Sequence, residues 1–113
     1  MTTPLELAET YFAAWQEQDA DTLRSVLADD VTFEGPMATI DNADEAVKGL
    51  MGLAAATTRL QVRKRLADGD DVITWFELSV EDAGPVPTAN WSHVEDGKIT
   101  AIRVAFDPRP LLG

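Results

Sequence analysis

The side chains in this sequence that could carry chemistry are mainly hydroxyls, amides and carboxylates. There is no cysteine, and His93 is the single histidine. These counts exclude a thiolate zinc site, a cysteine nucleophile and a site built from several histidine ligands. Asp41 and Asp107 stand next to predicted elements, where either carboxylate could act as a base at the rim of a cavity. The structural alternatives are a helix start at Asp41 and a turn at Asp107.

Acidic residues outnumber basic residues by 20 to 9, which gives a formal charge of −11. A phosphate backbone and an anionic bilayer would both repel such a chain, so we expect no nucleic-acid partner and no membrane partner. The acidic run 68–71 lacks the spacing of a calcium loop, and the pattern indicates neither a metal nor another cofactor. The chain begins without the basic and apolar segments of a signal peptide, so we expect a cytoplasmic protein.

The first half of the sequence has the pattern of three helices. Each helix starts at a residue whose side chain can accept hydrogen bonds from the first turn, namely Thr3, Asp19 and Asn42. Apolar side chains then recur at helical spacing. The second helix is predicted to end at Ala28 and the third at about Ala56.

The second half of the sequence alternates between polar and apolar residues, as strands do. One short strand, 31–33, precedes the third helix, and an antiparallel meander begins after Thr58 with a strong hairpin turn at 96–97. Helices early and strands late predict an α+β fold, a curved antiparallel sheet that wraps three helices as a cone with a cavity at its wide end. One domain over residues 1–113 is expected at this length. The predicted meander strands are 59–67, 72–81, 86–95 and 98–106.

Alternation also divides the strand residues between two faces of the sheet. We assign the smoother apolar sets to the interior and the opposite sets, with Ile73, Trp75 and Trp91, to the outside. Tryptophans on adjacent strands of an outward face predict a homodimer interface, while isolated exposed apolar residues are the alternative reading. The arginines of the first meander strand are expected on one side, paired with surface acids: Arg59, Arg63 and Arg65.

Four polar residues in the middle strands are assigned by the same alternation. His93 is out of step with Asn90 and Ser92, so it faces outward if those two face the cavity. The hydroxyls of Ser92 and Thr74 could bind a ligand oxygen, or they could be satisfied by nearby backbone groups.

Two parts of the chain resemble SnoaL-like and ketosteroid isomerase-like proteins of the nuclear transport factor two-like superfamily. The first is Tyr11-Phe12-Ala13-Ala14-Trp15 followed by Asp19, Leu23 and the run 27–33, and the second comprises 94–99 and 106–108. The resemblance spans nearly the whole chain. It implies one SnoaL-like domain, 1–113, with a cystatin-like roll, and this fold hosts isomerases, cyclases, hydrolases and non-catalytic binders.

The resemblance also implies roles for individual residues. Tyr11 falls where ketosteroid isomerase-like enzymes have a tyrosine that donates a hydrogen bond to the developing enolate, and Asn90 falls where a carboxylic acid shares that task. The general base of those enzymes is an aspartate just before a proline, but here Gly35 precedes Pro36. Glu34 is one position away, and a one-residue step in a strand reverses the face. The resemblance therefore implies two neutral donors without the usual base.

Three functions are open at this point. The first is a cofactor-free isomerase, cyclase or hydratase acting on a small hydrophobic carbonyl compound, with Tyr11 and Asn90 polarising the oxygen and Asp41, Asp107 or water as the base. The second is a non-catalytic protein that binds a small hydrophobic ligand in the same cavity. The third is an interaction module that uses the Trp75 and Trp91 face and has a filled interior. The candidate substrate-binding residues are Trp15, Phe33, Phe76, Leu78, Ser92, Ile102, Val104 and Phe106.

Overall fold

The computed structural model describes residues 2–111 and shows three helices packed on one face of a curved, open six-stranded sheet. No helix in this part of the chain combines the length and the apolar character needed to cross a bilayer. The helices are α1 (Pro4–Glu17), α2 (Ala20–Val26) and α3 (Ala43–Ala56), and a short 3₁₀ helix covers Arg109–Leu111. The strands are β1 (Leu27–Glu34), β2 (Thr39–Ile40), β3 (Thr57–Asp68), β4 (Asp71–Val80), β5 (Ala83–Glu95) and β6 (Lys98–Phe106).

The three predicted helix starts are confirmed. The Thr3 hydroxyl accepts a hydrogen bond from the Glu6 backbone N–H (3.1 Å), and the Glu6 carboxylate accepts one from the Thr3 N–H (3.0 Å), which completes a capping box. Asp19 caps α2, and the Asn42 side chain accepts from the backbone N–H at the third position of α3 (2.8 Å). These caps fix where the three helices begin.

The sheet order is β2-β1-β6-β5-β4-β3, and the last four strands form the predicted antiparallel meander. The curved sheet is mixed, because β1 pairs parallel with β6, with Phe33 opposite Ile102. Parallel neighbours need a long connection, and here α3 and the rest of the meander provide it. Alternation along a strand shows which of its side chains share a face of the sheet. It does not show which other strand is its neighbour in the sheet.

The junction of α2 and β1 also differs from the prediction. The helix ends at Val26 instead of Ala28, and the strand begins at Leu27 instead of Val31. The register of β1 against β6 shifts after Leu27, which lets the acidic residues of the junction stay exposed while Leu27 and Val31 are buried. One of those acids, Asp29, accepts a hydrogen bond from the Arg24 guanidinium at 2.6 Å. Asp29 and Asp30, which in the sequence resemble the end of a helix, are therefore part of an irregular strand.

A bulge in β3 corrects the prediction that Arg59, Arg63 and Arg65 share one side. The register shifts between Val62 and Lys64, so Arg63 is an extra residue and Arg65 turns to the inner face opposite Thr74. There the Arg65 Nε donates to the Thr74 hydroxyl at 3.0 Å, and the guanidinium lies 5.0 Å from the centre of the Phe12 ring. Arg63 stays outside and binds the Glu77 carboxylate.

The core lies between α1, α2, α3 and the inner face of the sheet, and an aromatic cluster stands at its centre. The Phe12 ring lies 5.1 Å from Tyr11, 5.8 Å from Trp15 and 5.2 Å from Phe76, measured between ring centres. The pairs with Tyr11 and Phe76 meet edge to face, an arrangement that aromatic rings prefer. This cluster holds the inward face of α1 rigidly against β4.

Ile73, Trp75 and Trp91 point outward as predicted, with 41, 45 and 41 % of their surface exposed. We call these three residues together with Leu66 the outer sheet face. Leu66, Ile73 and Trp91 lie opposite one another on three adjacent strands. At its edge, Asp71 accepts hydrogen bonds from the Trp91 indole N–H and from His93 Nδ1, both at 2.8 Å. The hydrogen bond to Asp71 raises the pKa of His93 above its ordinary value.

Candidate functional site

A cavity of about 390 Å³ opens between the inner face of the sheet and helices α1 and α3. The inward side chains of β4, β5 and β6 form one wall, and α1 and α3 form the other. The β1–β2 turn and the 3₁₀ helix contribute at the mouth. The lining residues are Tyr11, Trp15, Phe33, Gly35, Met37, Ala38, Leu50, Leu53, Ala56, Phe76, Leu78, Val80, Val86, Thr88, Asn90, Val104, Phe106 and Leu111.

The lining is almost entirely apolar, and none of the described residues that form it carries a formal charge. A charged group enclosed in such a cavity would lose its hydration without gaining a counter-ion, which costs several kcal/mol. The side chains that line the cavity therefore favour an uncharged occupant. The groups in the lining that could form hydrogen bonds with an occupant are the backbone and the side chains of Tyr11, Trp15, Thr88 and Asn90.

Most of the residues that were predicted from the sequence to bind substrate line this cavity, together with Tyr11 and Asn90. They are Trp15, Phe33, Phe76, Leu78, Val104 and Phe106. Ser92 and Ile102 have the expected face but lie deeper along their strands, below the floor of the cavity. Ile102 is wholly enclosed in the core, and the Ser92 hydroxyl donates to the Asn90 Oδ1 at 3.1 Å. Alternation along a strand predicts which face of the sheet a residue occupies, but it does not predict how deep in the cone the residue lies. Ser92 and Ile102 were therefore predicted to line the cavity.

The carboxylates considered as bases lie outside the cavity lining. Asp107 is bound by Arg109, whose Nη2 lies 2.6 Å from its Oδ2 and whose backbone N–H donates to its Oδ1 at 3.0 Å. The hydrogen bonds from the Arg109 side chain and backbone lower the pKa of Asp107 to about 2. A carboxylate of that pKa is a weak base. Asp41 is exposed beside the start of α3, and Glu34 is exposed with its Oε2 3.9 Å from Arg103.

Tyr11 lines the cavity, and its hydroxyl is buried. The residue has no exposed surface, and within residues 2–111 its hydroxyl has no hydrogen-bond partner of acceptable geometry. Burial raises the pKa of Tyr11 well above its usual range, an effect that the neighbouring Asn90 side chain only partly opposes. The hydroxyl is therefore neutral at physiological pH and able to donate.

Asn90 is on β5, where it lies opposite Thr74 of β4 and Val104 of β6. Its side chain lies beside that of Tyr11, close to the hydroxyl. Its Oδ1 accepts from the Ser92 hydroxyl. Thr88, one inward position earlier, donates its hydroxyl hydrogen to the Val86 carbonyl at 3.1 Å. The polar side chains of the cavity thus present mainly donors.

Trp15 is the third polar group in the wall, and its buried indole Nε1 also lacks a partner within residues 2–111. The same residue lines a second, smaller cavity of about 210 Å³ between the end of α1, the end of α3 and the start of β3. No sequence pattern indicated this second cavity. Its other lining residues are Gln16, Gln18, Ala54, Thr57, Thr58, Arg59 and Leu60.

Sequence reasoning also missed several residues of the main cavity. Val86 and Thr88 were within reach, because they continue the inward alternation of Asn90 along β5. Met37, Ala38 and Leu111 come from a turn and from the end of the chain, which carry no periodic pattern. In the described part of the chain, no three His, Asp or Glu side chains are grouped as metal ligands.

Comparison with known proteins agrees with this architecture. A family model described as SnoaL-like domain matches residues 8–102. The crystal structure of an NTF2-like protein of unknown function from Cytophaga hutchinsonii superposes with a TM-score of 0.88 at 23% identity, over 100% of this chain and 97% of that one. An M. tuberculosis LEH-like epoxide hydrolase gives a TM-score of 0.80 at 23% identity, over 96% and 86% of the two chains.

A third structure, an uncharacterised bacterial protein with a cystatin-like fold from Silicibacter pomeroyi, gives a TM-score of 0.81 at 18% identity, over 90% and 74%. Among curated proteins no sequence matches this chain. At these identities the structural likeness establishes the fold, and the chemistry has to be argued from the cavity.

Proposed function

Since the chain belongs to the SnoaL-like domain family, we propose that its cavity binds a small, uncharged, largely apolar molecule through an oxygen of that molecule. One observation carries the proposal. The cavity wall is apolar, and two of its polar residues, Tyr11 and Asn90, are neutral donors that lie side by side. The complementary ligand has an apolar body and a carbonyl-type acceptor.

The size and composition of the cavity support this ligand class. Its volume of about 390 Å³ falls in the range of small-molecule sites, roughly 300–1,000 Å³. Rings and branched side chains from the helices and the sheet surround the space, so an apolar molecule would exchange water for protein over most of its surface. The cavity supports a binding function over the interaction-module hypothesis, which requires a filled interior.

The buried hydroxyl of Tyr11 explains why an acceptor is expected. Leaving a buried hydroxyl without a hydrogen bond costs about 1–3 kcal/mol, and a ligand carbonyl would offset that cost. The raised pKa of Tyr11 keeps the proton on the phenol, so the group donates over the physiological range. Asn90 can donate to the second lone pair of the same oxygen.

We expect Tyr11→Phe to weaken the binding of cyclodecanone, an uncharged cyclic ketone, by about three- to tenfold, because one hydrogen bond in the net range of about 0.5–1.5 kcal/mol is lost. Isothermal titration calorimetry measures the effect. Ser25→Ala serves as the control, since it removes an exposed hydroxyl on α2 that donates to the Thr22 carbonyl. Equal affinity of Tyr11→Phe and the wild type would contradict the role of the hydroxyl, and a wild-type protein that binds no cyclodecanone would contradict the proposed function.

A second candidate function, a cofactor-free isomerase, cyclase or hydratase acting on a carbonyl compound, is favoured by the same pair of donors. Tyr11 and Asn90 on one oxygen would polarise a carbonyl and stabilise an enolate, as preorganised donors do in dry sites. The proton would have to be moved by water or by the substrate, because none of the described lining residues is a carboxylate. Deuterium uptake at the α-carbons of cyclodecanone in D₂O, followed by NMR, separates the two functions. Acceleration that Tyr11→Phe abolishes supports catalysis, and unchanged uptake supports binding alone.

We also propose that the outer sheet face packs against a second copy of this chain. Leu66, Ile73, Trp75 and Trp91 form a band of exposed apolar side chains on adjacent strands. The band is flanked by charges of both signs, so a two-fold arrangement can set unlike charges against each other although the chain as a whole is acidic. These flanking residues are Lys64, Asp71, Glu95 and Arg103.

The association is tested by sedimentation velocity at micromolar concentration. We expect the wild type to sediment as a dimer and Trp75→Lys to sediment as a 12.3 kDa monomer, because a charge would be buried at the centre of the interface. Leu5→Lys is the control, since it places the same charge on an exposed position of α1. A wild type that is monomeric throughout would overturn the proposal.

A further inference from the structure

We infer that the ligand of the main cavity carries a flat, unsaturated ring bonded directly to its acceptor carbonyl, and that this ring lies on Gly35 between Phe33 and Phe106. The inference rests on the proposed function, in which Tyr11 and Asn90 bind the carbonyl oxygen. It narrows the ligand class from uncharged apolar carbonyl compounds to aryl ketones and related conjugated carbonyl compounds.

The wall of the main cavity has no side chain at Gly35, the residue that follows β1. A methyl group at this position would lie 3.6 Å from Phe33 Cε1 and 3.7 Å from Val104 Cβ, which are ordinary van der Waals distances to two other lining residues. The backbone of Gly35 is outside the left-handed region, and Pro36 favours extended backbone in the residue before it, which any residue can adopt. Neither the chain conformation nor close packing therefore requires glycine, and its effect is to leave open space over this part of the wall.

This open position lies close to the two donors of the proposed function. Val104 is opposite Asn90 of β5 on one side and adjoins Gly35 on the other. Neighbouring strands are about 4.8 Å apart, so a ring over Val104 and Gly35 lies one strand away from the Asn90 side chain. Tyr11 lies beside Asn90. A carbonyl group bonded directly to the ring therefore reaches both donors without a spacer.

Phe33 and Phe106 stand at the two ends of the open position, and both line the cavity. Because β1 and β6 run parallel, Phe33 precedes Gly35 and Phe106 follows Val104 by one inward position, about 7 Å in each direction. Within residues 2–111, the rings that pair with one another all belong to the aromatic cluster, and neither of these two phenyl groups has an aromatic neighbour. A flat ring over Gly35 would present an edge to each of them, which is favourable beyond the burial of apolar surface.

Apolar filling alone does not account for both observations. A branched or puckered hydrocarbon could occupy the space at Gly35, but it would leave Phe33 and Phe106 without an aromatic partner. It would also be too thick to lie flat on the exposed backbone, so fewer atoms would be in contact with the wall. A planar ring uses the bare backbone and the two phenyl groups together.

The experiment compares 2-acetylnaphthalene with 2-acetyldecalin, its saturated counterpart, by isothermal titration calorimetry on the full chain. The two ketones share a carbon skeleton and an acceptor group. The saturated ketone has the larger apolar surface, so burial of surface alone would favour it. We expect 2-acetylnaphthalene to bind about two- to tenfold more tightly, the effect of aromatic contacts of ordinary strength.

Two variants test where the ring lies. Gly35→Ala places a methyl group under the ring, and Phe106→Leu removes one aromatic edge but keeps an apolar side chain. In each variant the preference for 2-acetylnaphthalene is expected to disappear. Gly52→Ala is the control, because it adds the same methyl group at an exposed position of α3 that has no atom within 4 Å, and it should keep the wild-type preference.

The ratio of the two affinities is the readout, because a general loss of stability affects the binding of both ketones. A wild type that binds the two ketones equally, or the saturated one more tightly, would overturn the inference and leave the proposed function standing. So would a preference for 2-acetylnaphthalene that persists in either variant. If neither ketone nor cyclodecanone bound to the wild type, the inference and the proposed function would both fail.

Discussion

Replacement of Phe12 by alanine is expected to lower the free energy of unfolding by about 3–5 kcal/mol, the range found for large-to-small changes of buried aromatic residues. Phe12 is enclosed in the core and contacts three other rings of the aromatic cluster. The Arg65 guanidinium also lies over its face. Because domains are stable by only about 5–15 kcal/mol, much of the stability would be lost. Urea unfolding followed by circular dichroism measures the change.

The matched control is Phe106→Ala, which removes the same atoms from the cavity wall. Phe106 is half-buried and one side of its ring faces the cavity, so fewer protein atoms lose a contact when it is truncated. We expect less than half of the loss seen for Phe12→Ala. Equal losses at the two positions would show that the space near Phe106 is packed as tightly as the core, which would contradict the cavity.

Asn90→Asp is expected to destabilise the protein by an amount that grows with pH. Burial among apolar side chains raises the pKa of the introduced carboxyl above the value of about 3.9 that it has in the unfolded chain. Below pH 4 the group is neutral in both states and the penalty is smallest. Above pH 4 the unfolded state releases its proton first, so stability relative to the wild type falls by about 1.4 kcal/mol per pH unit until the folded pKa is reached.

Urea unfolding of the variant and the wild type at a series of pH values gives this slope. Asn42→Asp is the control, because it places the same group at the N-cap of α3, where the helix dipole favours a carboxylate and lowers its pKa. Its stability relative to the wild type should therefore rise between pH 3 and 5 and fall on acidification. If the difference in stability between Asn90→Asp and the wild type did not change with pH, the cavity would not hold the carboxyl group in a dry environment.

Local signals allowed much of the fold to be predicted. The caps at Thr3, Asp19 and Asn42 satisfy backbone N–H groups within the first turn, so their effect depends on neighbours in sequence. The hairpin after Glu95 is local in the same way. Alternation gave the correct face for Trp75 and Trp91, since the pleat determines it. The matched family confirms the assignment of the chain as SnoaL-like.

Features that depend on contacts between distant parts of the chain were not predicted. The parallel pairing of β1 with β6 is one such feature, and the bulge at Arg63 is another, because a bulge leaves no clear mark in an alternating pattern. In the site, alternation found the lining residues on the strands. It could not show the depth of Ser92 and Ile102, or that Arg109 would neutralise Asp107 as a base.

The extra residue in β3 is one that the interior can lose. Loss of Arg63 would restore a regular pleat and leave Lys64 opposite Trp75 and Arg65 opposite Thr74. Arg65 would keep its place over Phe12, and Leu66 would stay on the outer sheet face. Relatives of this chain that lack one codon at the bulge would thus retain the same enclosed cation, whereas a one-residue slip in a regular strand reverses the face of the residues that follow.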